Sequence, residues 1–299
     1  VQQPKTRFAP SPTGLLHVGN AYSALICQAW SKSKRAGLLL RIEDIDFTRC
    51  RSEFTEAIFQ DLDWLGLKWP EPVRIQSEHF DDYRRAIEHL RELGVIYPCF
   101  CTRKSIEAEI QRIGLAPHAE EATAIYPGIC RNLDVDEQSQ RMLSNPFAWR
   151  LDIEKAMTLM ARPLQWHDES GAAHPANIDH DVVIGRKDIS FSYHLSVVVD
   201  DALQNISHII RGQDLEASTG IHRLLQNLLD LPEPTYIHHG LLETLNGERL
   251  AKRNCSTTLR SLKELGVKPE KLKQFLLDVE NPVWPFAPDD HDQIIRQLA

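Results

Sequence analysis

Residues 7–20, Arg-Phe-Ala-Pro-Ser-Pro-Thr-Gly-Leu-Leu-His-Val-Gly-Asn, bring together side chains and backbone suited to holding an anion. Pro10 and Pro12 stiffen the stretch and Gly14 permits a sharp turn. From Val18 the apolar residues Val18, Tyr22, Leu25, Ile26, Ala29 and Trp30 recur on one helical face. The expected order is a strand ending at Arg7–Phe8, a stiff loop, and a helix N-terminus. Free backbone N–H groups and the positive dipole end meet there, which suits a phosphate. His17 stands at the helix mouth as a donor, and Gly19 leaves room for a flat base. A proline-rich loop with an ordinary capping histidine accounts for the same residues.

Three further groups carry chemistry. Glu43, Asp44 and Asp46 follow the apolar run Leu38–Ile42, a buried parallel strand by pattern. Ligands bind at the carboxyl ends of such strands, and a carboxylate there suits an α-amino group. A solvated acidic loop is the plainer reading, and Asp44 and Asp46 are left open. Arg211, beside Gly212 after a strand expected at Ile206–Ile210, can grip a carboxylate with two N–H groups. Cys99 and Cys101 point the same way in an extended segment, and the Pro127–Gly128 turn can return Cys130 to them. Three thiolates and one more ligand, Tyr126 or His118, would close a tetrahedral zinc site. Inert buried cysteines are the alternative. Arg249-Leu250-Ala251-Lys252-Arg253 by itself reads as solvated basic surface.

These residues need elements to place them. Helices are expected over residues 52–66, Phe80–Leu93 and Thr219–Leu229, and strands at Phe147–Leu151 and Tyr236–His239. A parallel-sheet pattern returns at Asp181–Asp188 and continues through Phe191–Leu195, with Ser196–Asp201 after it. Here His194 reads as a packed or surface imidazole. Prolines 117, 127, 146, 163 and 175 interrupt residues 102–180, an insertion of small elements. Two short helices are expected after Arg253. The division is 1–98 and 181–253 for two halves of one α/β domain, 99–180 for the insertion, and 254–299 for a helical tail. A net charge of −8 argues against holding nucleic acid by bulk charge, while allowing a local basic track. No apolar run approaches the roughly 20 residues that span a bilayer. Six irregularly spaced cysteines point to a reducing, cytoplasmic setting rather than a disulfide framework.

Several blocks resemble one family. His17-Val18-Gly19-Asn20 is similar to the His-x-Gly-His signature of class I aminoacyl-tRNA synthetases, departing at Asn20. Arg7–Gly14 and Arg41-Ile42-Glu43-Asp44 resemble the glutamyl branch. Ser192–Asp201 and Ile210–Leu215 are near matches to the glutamyl and glutamyl-queuosine tRNA(Asp) synthetases. Arg249–Arg253 resembles the Lys-Met-Ser-Lys-Ser signature and keeps its fourth-position lysine as Lys252. Cys99, Cys101, Tyr126 and Cys130 match the Cys-x-Cys and Tyr-x-x-x-Cys pattern of the glutamyl-queuosine enzymes, which favours Tyr126 as the fourth ligand.

The resemblance implies a Rossmann-type α/β catalytic domain, split by an insertion with one structural Zn2+ and followed by a short helical tail. It implies activation of L-glutamate by ATP, accompanied by Mg2+, as glutamyl-adenylate. Transfer would follow to the queuosine base in the anticodon loop of tRNA(Asp), by a monomer. Arg7, Ala9, Ser11, Glu43, Tyr193 and Arg211 would bind glutamate. His17, Gly19, Asn20 and Lys252 would bind ATP, with His17 and Lys252 stabilising phosphate charge. The 46 residues after Arg253 are too few for the anticodon-binding region of a full glutamyl-tRNA synthetase. A short enzyme charging tRNA(Glu) and a non-catalytic synthetase-like RNA-binding protein are the alternatives.

Overall fold

The computed structural model describes residues 3–102, 104–106, 126–187, 191–244, 247, 250, 257–278, 283–286 and 290–298. β1 (Lys5–Phe8) enters the proline loop and then α1 (Val18–Lys34). The chain returns as β2 (Gly37–Ile42), parallel to β1, and α2 (Ser52–Trp64) leads to β3 (Arg74–Ile75), parallel to β2. α3 (Phe80–Glu92) precedes β4 (Ile96–Cys99), and α4 (Val135–Ser144) precedes β5 (Ala148–Leu151). α5 (Ile153–Thr158) is followed by the hairpin of β6 (Gln165–His167) and β7 (Ala173–Pro175), then by β8 (Val182–Gly185). α6 (Tyr193–Leu203), β9 (His208–Gly212), α7 (Thr219–Leu228) and β10 (Thr235–His239) come next, with β9 and β10 parallel. β11 (Glu243–Thr244), α8 (Leu259–Glu264), α9 (Pro269–Leu277), β12 (Val283–Trp284) and α10 (His291–Leu298) complete the described elements, and β12 pairs parallel with β11.

The two parallel ladders meet along β1 and β9. The Ser207 N–H donates to the Lys5 carbonyl at 3.1 Å, and the Arg7 guanidinium reaches the Ile210 carbonyl at 3.4 Å. The Cys27 thiol of α1 fills the seam, buried near the carbonyls of Arg7 and Ile210. Neighbouring strands therefore run β3, β2, β1, β9, β10. The chain leaves β1 toward β2 on one side, and β9 lies on the other. A crevice opens outside the carboxyl ends of strands at such a switch point.

Two expectations are corrected. The described residues of the pattern at Asp181–Asp188 belong to no parallel sheet: β8 pairs antiparallel with β5, which pairs antiparallel with β4. That sheet holds residues on both sides of positions 98/99 and 180/181. Residues from Tyr193 onward form a helix, not a continuation of strand. The β-branched run Val197–Val199 has strand propensity, but the Ser192 hydroxyl caps the helix by accepting from the Leu195 N–H, and tertiary burial decides the rest. Leu195 through Asp201 are all buried, so the helix shows no polar face by which its period could be read.

Beyond residue 256 three helices are described where two were expected. They extend the principal core: Leu259, Leu262, Leu272, Leu276, Trp284, Ile294 and Leu298 share one apolar cluster with Leu25 of α1 and Ile58 and Leu62 of α2. Truncating the fully buried Leu276 to Ala is expected to cost about 2–5 kcal/mol of stability, read from urea unfolding. A loss below about 0.5 kcal/mol, the range of surface substitutions, would place α9 outside the core.

Candidate active site

A cleft of about 420 Å³ opens at the switch point. It is lined by the end of β1 and its loop (Arg7, Ala9, Ser11), the mouth of α1 (His17, Gly19, Asn20), the end of β2 (Glu43), the start of α6 (Tyr193) and the end of β9 (Arg211). Nine of the residues expected to bind glutamate or ATP thus come to one place from five segments. Lys252 lies outside the described residues. The nearest described positions on either side are Leu250, which lines the cleft, and Thr257, whose carbonyl accepts from the Val18 N–H at 3.1 Å.

His17 is the N-cap of α1. Its Nδ1 accepts from the Gly19 N–H at 3.1 Å, and its own N–H donates to Asn20 Oδ1 at 3.1 Å. This reciprocal box gives Asn20 a reason to stand in the fourth position of the signature. With Nδ1 an acceptor, the neutral ring carries its proton on Nε2. Gly19 has a structural reason as well: a Cβ there would lie 2.9 Å from His17 Cε1. Glycine makes room for the capping ring.

The floor of the cleft is ionic. Arg7 meets both oxygens of Asp201, at 2.9 and 3.2 Å. Arg41, fully buried inside β2, donates to Asp201 at 2.7 Å and to Glu43 at 3.0 Å. Arg74 on β3 donates to Asp200 at 2.8 Å, and Gln76 and Tyr83 donate to the same carboxylate. Burial alone would raise Asp201, but Arg7 and Arg41 hold it below the usual carboxylate range. Burial lifts Glu43 above that range despite Arg41. A ligand ammonium in the cleft would favour the Glu43 carboxylate.

Arg211 differs from these arginines. It is 4% exposed and forms no ion pair with a described residue. Its NH1 donates to His222 Nδ1 at 2.9 Å, its NH2 to the Thr219 hydroxyl at 2.7 Å, and its Nε to His238 Nε2 at 3.3 Å. The Tyr236 ring lies 5.3 Å away. Burial, then the Arg211 charge, pushes His222 well below its ordinary value and His238 down to about 4. Both imidazoles are neutral acceptors. The guanidinium keeps its charge unneutralised beside an open cleft, and the chemistry that answers it is an anion.

A separate cluster holds Cys99, Cys101 and Cys130, whose sulfur atoms all lie within 4.8 Å of one another, so the group could hold a metal ion. Cys101 and Cys130 Sγ are 3.5 Å apart, close to the edge of about 3.8 Å that Zn–S bonds of about 2.3 Å give a tetrahedron. The Tyr126 hydroxyl sits 3.4 Å from Cys99 Sγ and 3.7 Å from Cys101 Sγ. Arg150 donates to Cys99 Sγ at 3.3 Å and covers the Tyr126 ring at 3.7 Å, a positive charge beside a cluster that turns anionic on losing protons. Hydrogen bonds from Cys130, Tyr126 and Arg150 push the Cys99 thiol below its ordinary value. Burial and Cys99 hold the Tyr126 phenol in its protonated form, so a phenolate there needs the ion itself. His118, the other candidate ligand, lies outside the described residues.

The chain's sequence has relatives of known kind. Residues 3–282 match the family described as tRNA synthetases class I (E and Q), catalytic domain. The chain belongs to this family. Among its relatives, the glutamyl-Q tRNA(Asp) synthetase of Rhodobacter capsulatus is 38% identical over 284 residues, 91% of this chain and 99% of that protein. The glutamate–tRNA ligase of Aquifex aeolicus is 38% identical over 275 residues, 91% of this chain but 56% of that protein. The chain thus spans about half of the longer ligase and nearly all of the shorter synthetase. The crystal structure of the glutamate-tRNA synthetase from Elizabethkingia anophelis shares the fold with a TM-score of 0.77 at 24% identity, over 100% of this chain and 66% of that one. The Rossmann-type class I synthetase fold expected from the signatures is the fold observed. Among the described residues no helix is long and apolar enough to cross a membrane.

For this synthetase-family site, sequence reading missed Arg41, Asp200, Asp201, Thr219, His222 and His238. An arginine inside an apolar strand was the available signal for a carboxylate partner, since a buried charge is rarely left alone. His222 had none, standing among Ile221, Leu224 and Leu225 on a helix read by its apolar face. His194, read as a packed or surface imidazole, is a packed one, and its Nδ1 receives a hydrogen bond from His222 Nε2, 3.1 Å away.

Six histidines, His180, His194, His208, His222, His238 and His239, are lowered first by burial. Folding keeps them neutral where the unfolded chain would protonate. Their contribution is complete above the unfolded value of about 6.5 and is lost as pH falls toward the folded values, by at most about 1.4 kcal/mol per pH unit each. For His194 and His238 those folded values are about 4. The urea midpoint should be lower near pH 5.5 than near pH 7.5. An unchanged or higher midpoint at the acid pH would contradict the neutral histidines.

Proposed function

We propose that the cleft activates L-glutamate with ATP as glutamyl-adenylate and passes the glutamyl group to the queuosine base in the anticodon loop of tRNA(Asp). The observation that carries this reading is Arg211, a buried guanidinium without a carboxylate, lining the same cleft as the buried carboxylate Glu43 and the mouth of α1. An amino acid with an acidic side chain answers both charges at once.

Arg211 takes the side-chain carboxylate, with the Tyr193 hydroxyl beside it, and Glu43 takes the ammonium. Arg7 is already held by Asp201, so it adds positive field rather than a full ion pair. Ala9 and Ser11 form the wall beside the bound amino acid. The α-carboxylate is then free to attack the α-phosphorus of ATP bound over Gly19 and Asn20 at the mouth of α1. The new bond joins a carboxylate oxygen to phosphorus, and the bond to the leaving pyrophosphate breaks. His17 through Nε2–H and Lys252 through its ammonium offset the charge that builds on the phosphates, and Mg2+ accompanies ATP as it does in phosphoryl chemistry generally. No protein nucleophile takes part. Catalysis is positioning and electrostatics, and the nucleophile on the RNA completes transfer by expelling AMP from the adenylate.

The similarity to glutamyl-Q tRNA(Asp) synthetases over nearly their whole length supports the queuosine acceptor. The equal identity to a glutamate–tRNA ligase favours the second reading, charging of tRNA(Glu). The cysteine cluster is read as a structural zinc site with Tyr126 as fourth ligand, closed to substrate. Free thiols at Cys27, Cys50, Cys99, Cys101 and Cys130 suit a cytoplasmic enzyme, which this reading takes as a monomer.

With ATP and labelled glutamate, label should enter queuosine-containing tRNA(Asp) in its anticodon loop and not the same RNA lacking queuosine. Label at the 3′ end of tRNA(Glu) would establish the second reading, and no glutamate-dependent pyrophosphate exchange with either RNA present would remove the enzyme. Elemental analysis should find about one zinc per chain. Cys130→Ser should lose that metal and lower the Tm while KM for glutamate stays as in the wild type. A metal-free, fully stable wild type would exclude the zinc site.

A further inference from the structure

Among the described residues, the buried arginines that pair with a carboxylate are Arg7, Arg41 and Arg223. Arg7 and Arg41 share Asp201, Arg223 pairs with Glu233 at 2.8 Å, and Arg150 faces the Cys99 sulfur. Arg211 is as buried as these, yet every acceptor it meets among the described side chains is an uncharged one. Donors and acceptors of the shell can be assigned atom by atom, with His238 Nε2 shared between Arg211 Nε–H and the Thr219 hydroxyl. A guanidinium has no lone pair, so His222 Nδ1 must accept from it. His222 then carries its proton on Nε2 and donates to His194 Nδ1, 3.1 Å away. The Thr219 hydroxyl accepts from Arg211 NH2 and has its own proton for His238 Nε2, 3.2 Å away. Thr219 and His222 lie on α7 and His238 on β10, so two elements clamp the guanidinium plane through all three of its nitrogens. Thr219 and His222 are almost fully buried, and none of the three clamp residues lines the cleft.

We propose that Thr219, His222 and His238 are positioning residues that fix Arg211 through neutral acceptors alone, and that this neutral clamp sets the preference of the site for a carboxylate side chain over an amide. The proposal rests on the reading of Arg211 as the partner of glutamate's side chain. Had the clamp contained a carboxylate, the guanidinium would be neutralised before any ligand arrived, and an uncharged amide would fit as well as an acid. With neutral acceptors, an amide ligand leaves a buried charge unanswered, which is a severe penalty, whereas a carboxylate completes the pair. Arg7 and His194 act on His222, and His174 and His239 act on His238; the carboxylates of that outer layer are already engaged, Asp201 by Arg7 and Asp168 by His174.

The test uses the full chain in pyrophosphate exchange with its RNA present, comparing glutamate with glutamine and measuring KM for ATP alongside. His222→Asn keeps an acceptor near the Nδ1 position and should retain glutamate KM near that of the wild type. His222→Asp places a carboxylate against Arg211 and should raise glutamate KM by about 100-fold, leave ATP KM unchanged and narrow the glutamate-to-glutamine ratio. Should the aspartate variant fail to fold, Thr219→Val removes one acceptor without adding charge, and it too should raise glutamate KM while sparing ATP. Equal effects of Asn and Asp, or parallel loss for glutamate and ATP, would overturn the clamp. Arg211→Ala separates the two levels. If it leaves glutamate KM unaltered, the reading of Arg211 itself fails. If it raises that KM steeply while His222→Asp does not, the reading stands and the clamp alone is wrong.

Discussion

Two adjacent aspartates on one helix fix the geometry of everything around the cleft. Asp200 and Asp201 of α6 reach Arg7, Arg41 and Arg74, one from each of three neighbouring parallel strands. All the partners except Arg74 are almost wholly buried. Such networks add little net stability over well-packed apolar residues, because desolvation opposes the attraction. What they confer is register. A strand slipped by one residue would turn its arginine to the opposite face and strand both charges. With the register set, β2 delivers Glu43, β1 delivers the loop leading to His17, and α6 delivers Tyr193 at its first turn.

The same charge balance sets the field inside the cleft. Below it, positive and negative groups cancel in pairs. At its edge, Arg211 is held by groups that carry no charge, so the net field inside the cleft comes from a few residues rather than from the chain's overall charge of −8. A globally acidic protein can therefore hold a buried guanidinium without a carboxylate partner at the edge of a cleft that Arg7, Glu43 and Asp214 also line. At its other end α1 adds its N-terminal dipole, with the His17–Asn20 box satisfying two of the helix's first donors.

The sequence was most readable where chemistry and local geometry coincide. The proline loop, the capping histidine and the apolar period of α1 announced themselves together, because strand, loop and helix there are contiguous. The convergence of β2, α6 and β9 on that loop came from resemblance, since no local pattern tells where a distant segment lands. α6 was misread in part because a helix buried on nearly all sides looks like a strand when its residues are β-branched. The residues after Thr257 read as a tail because their leucines are short runs. Only the fold reveals that they seal the same core as α1 and α2. The clamp around Arg211 was illegible for the plainest reason: histidine neutrality is a property of burial, and burial is set by the whole structure.

A crystal structure of the chain with L-glutamate bound tests the central claim most directly. The side-chain carboxylate should lie about 2.7–3.0 Å from Arg211 guanidinium nitrogens and the ammonium on Glu43, with the neutral clamp undisturbed behind. Glutamate seated with its side chain away from Arg211, or Arg211 swung onto a carboxylate of the protein itself, would contradict it.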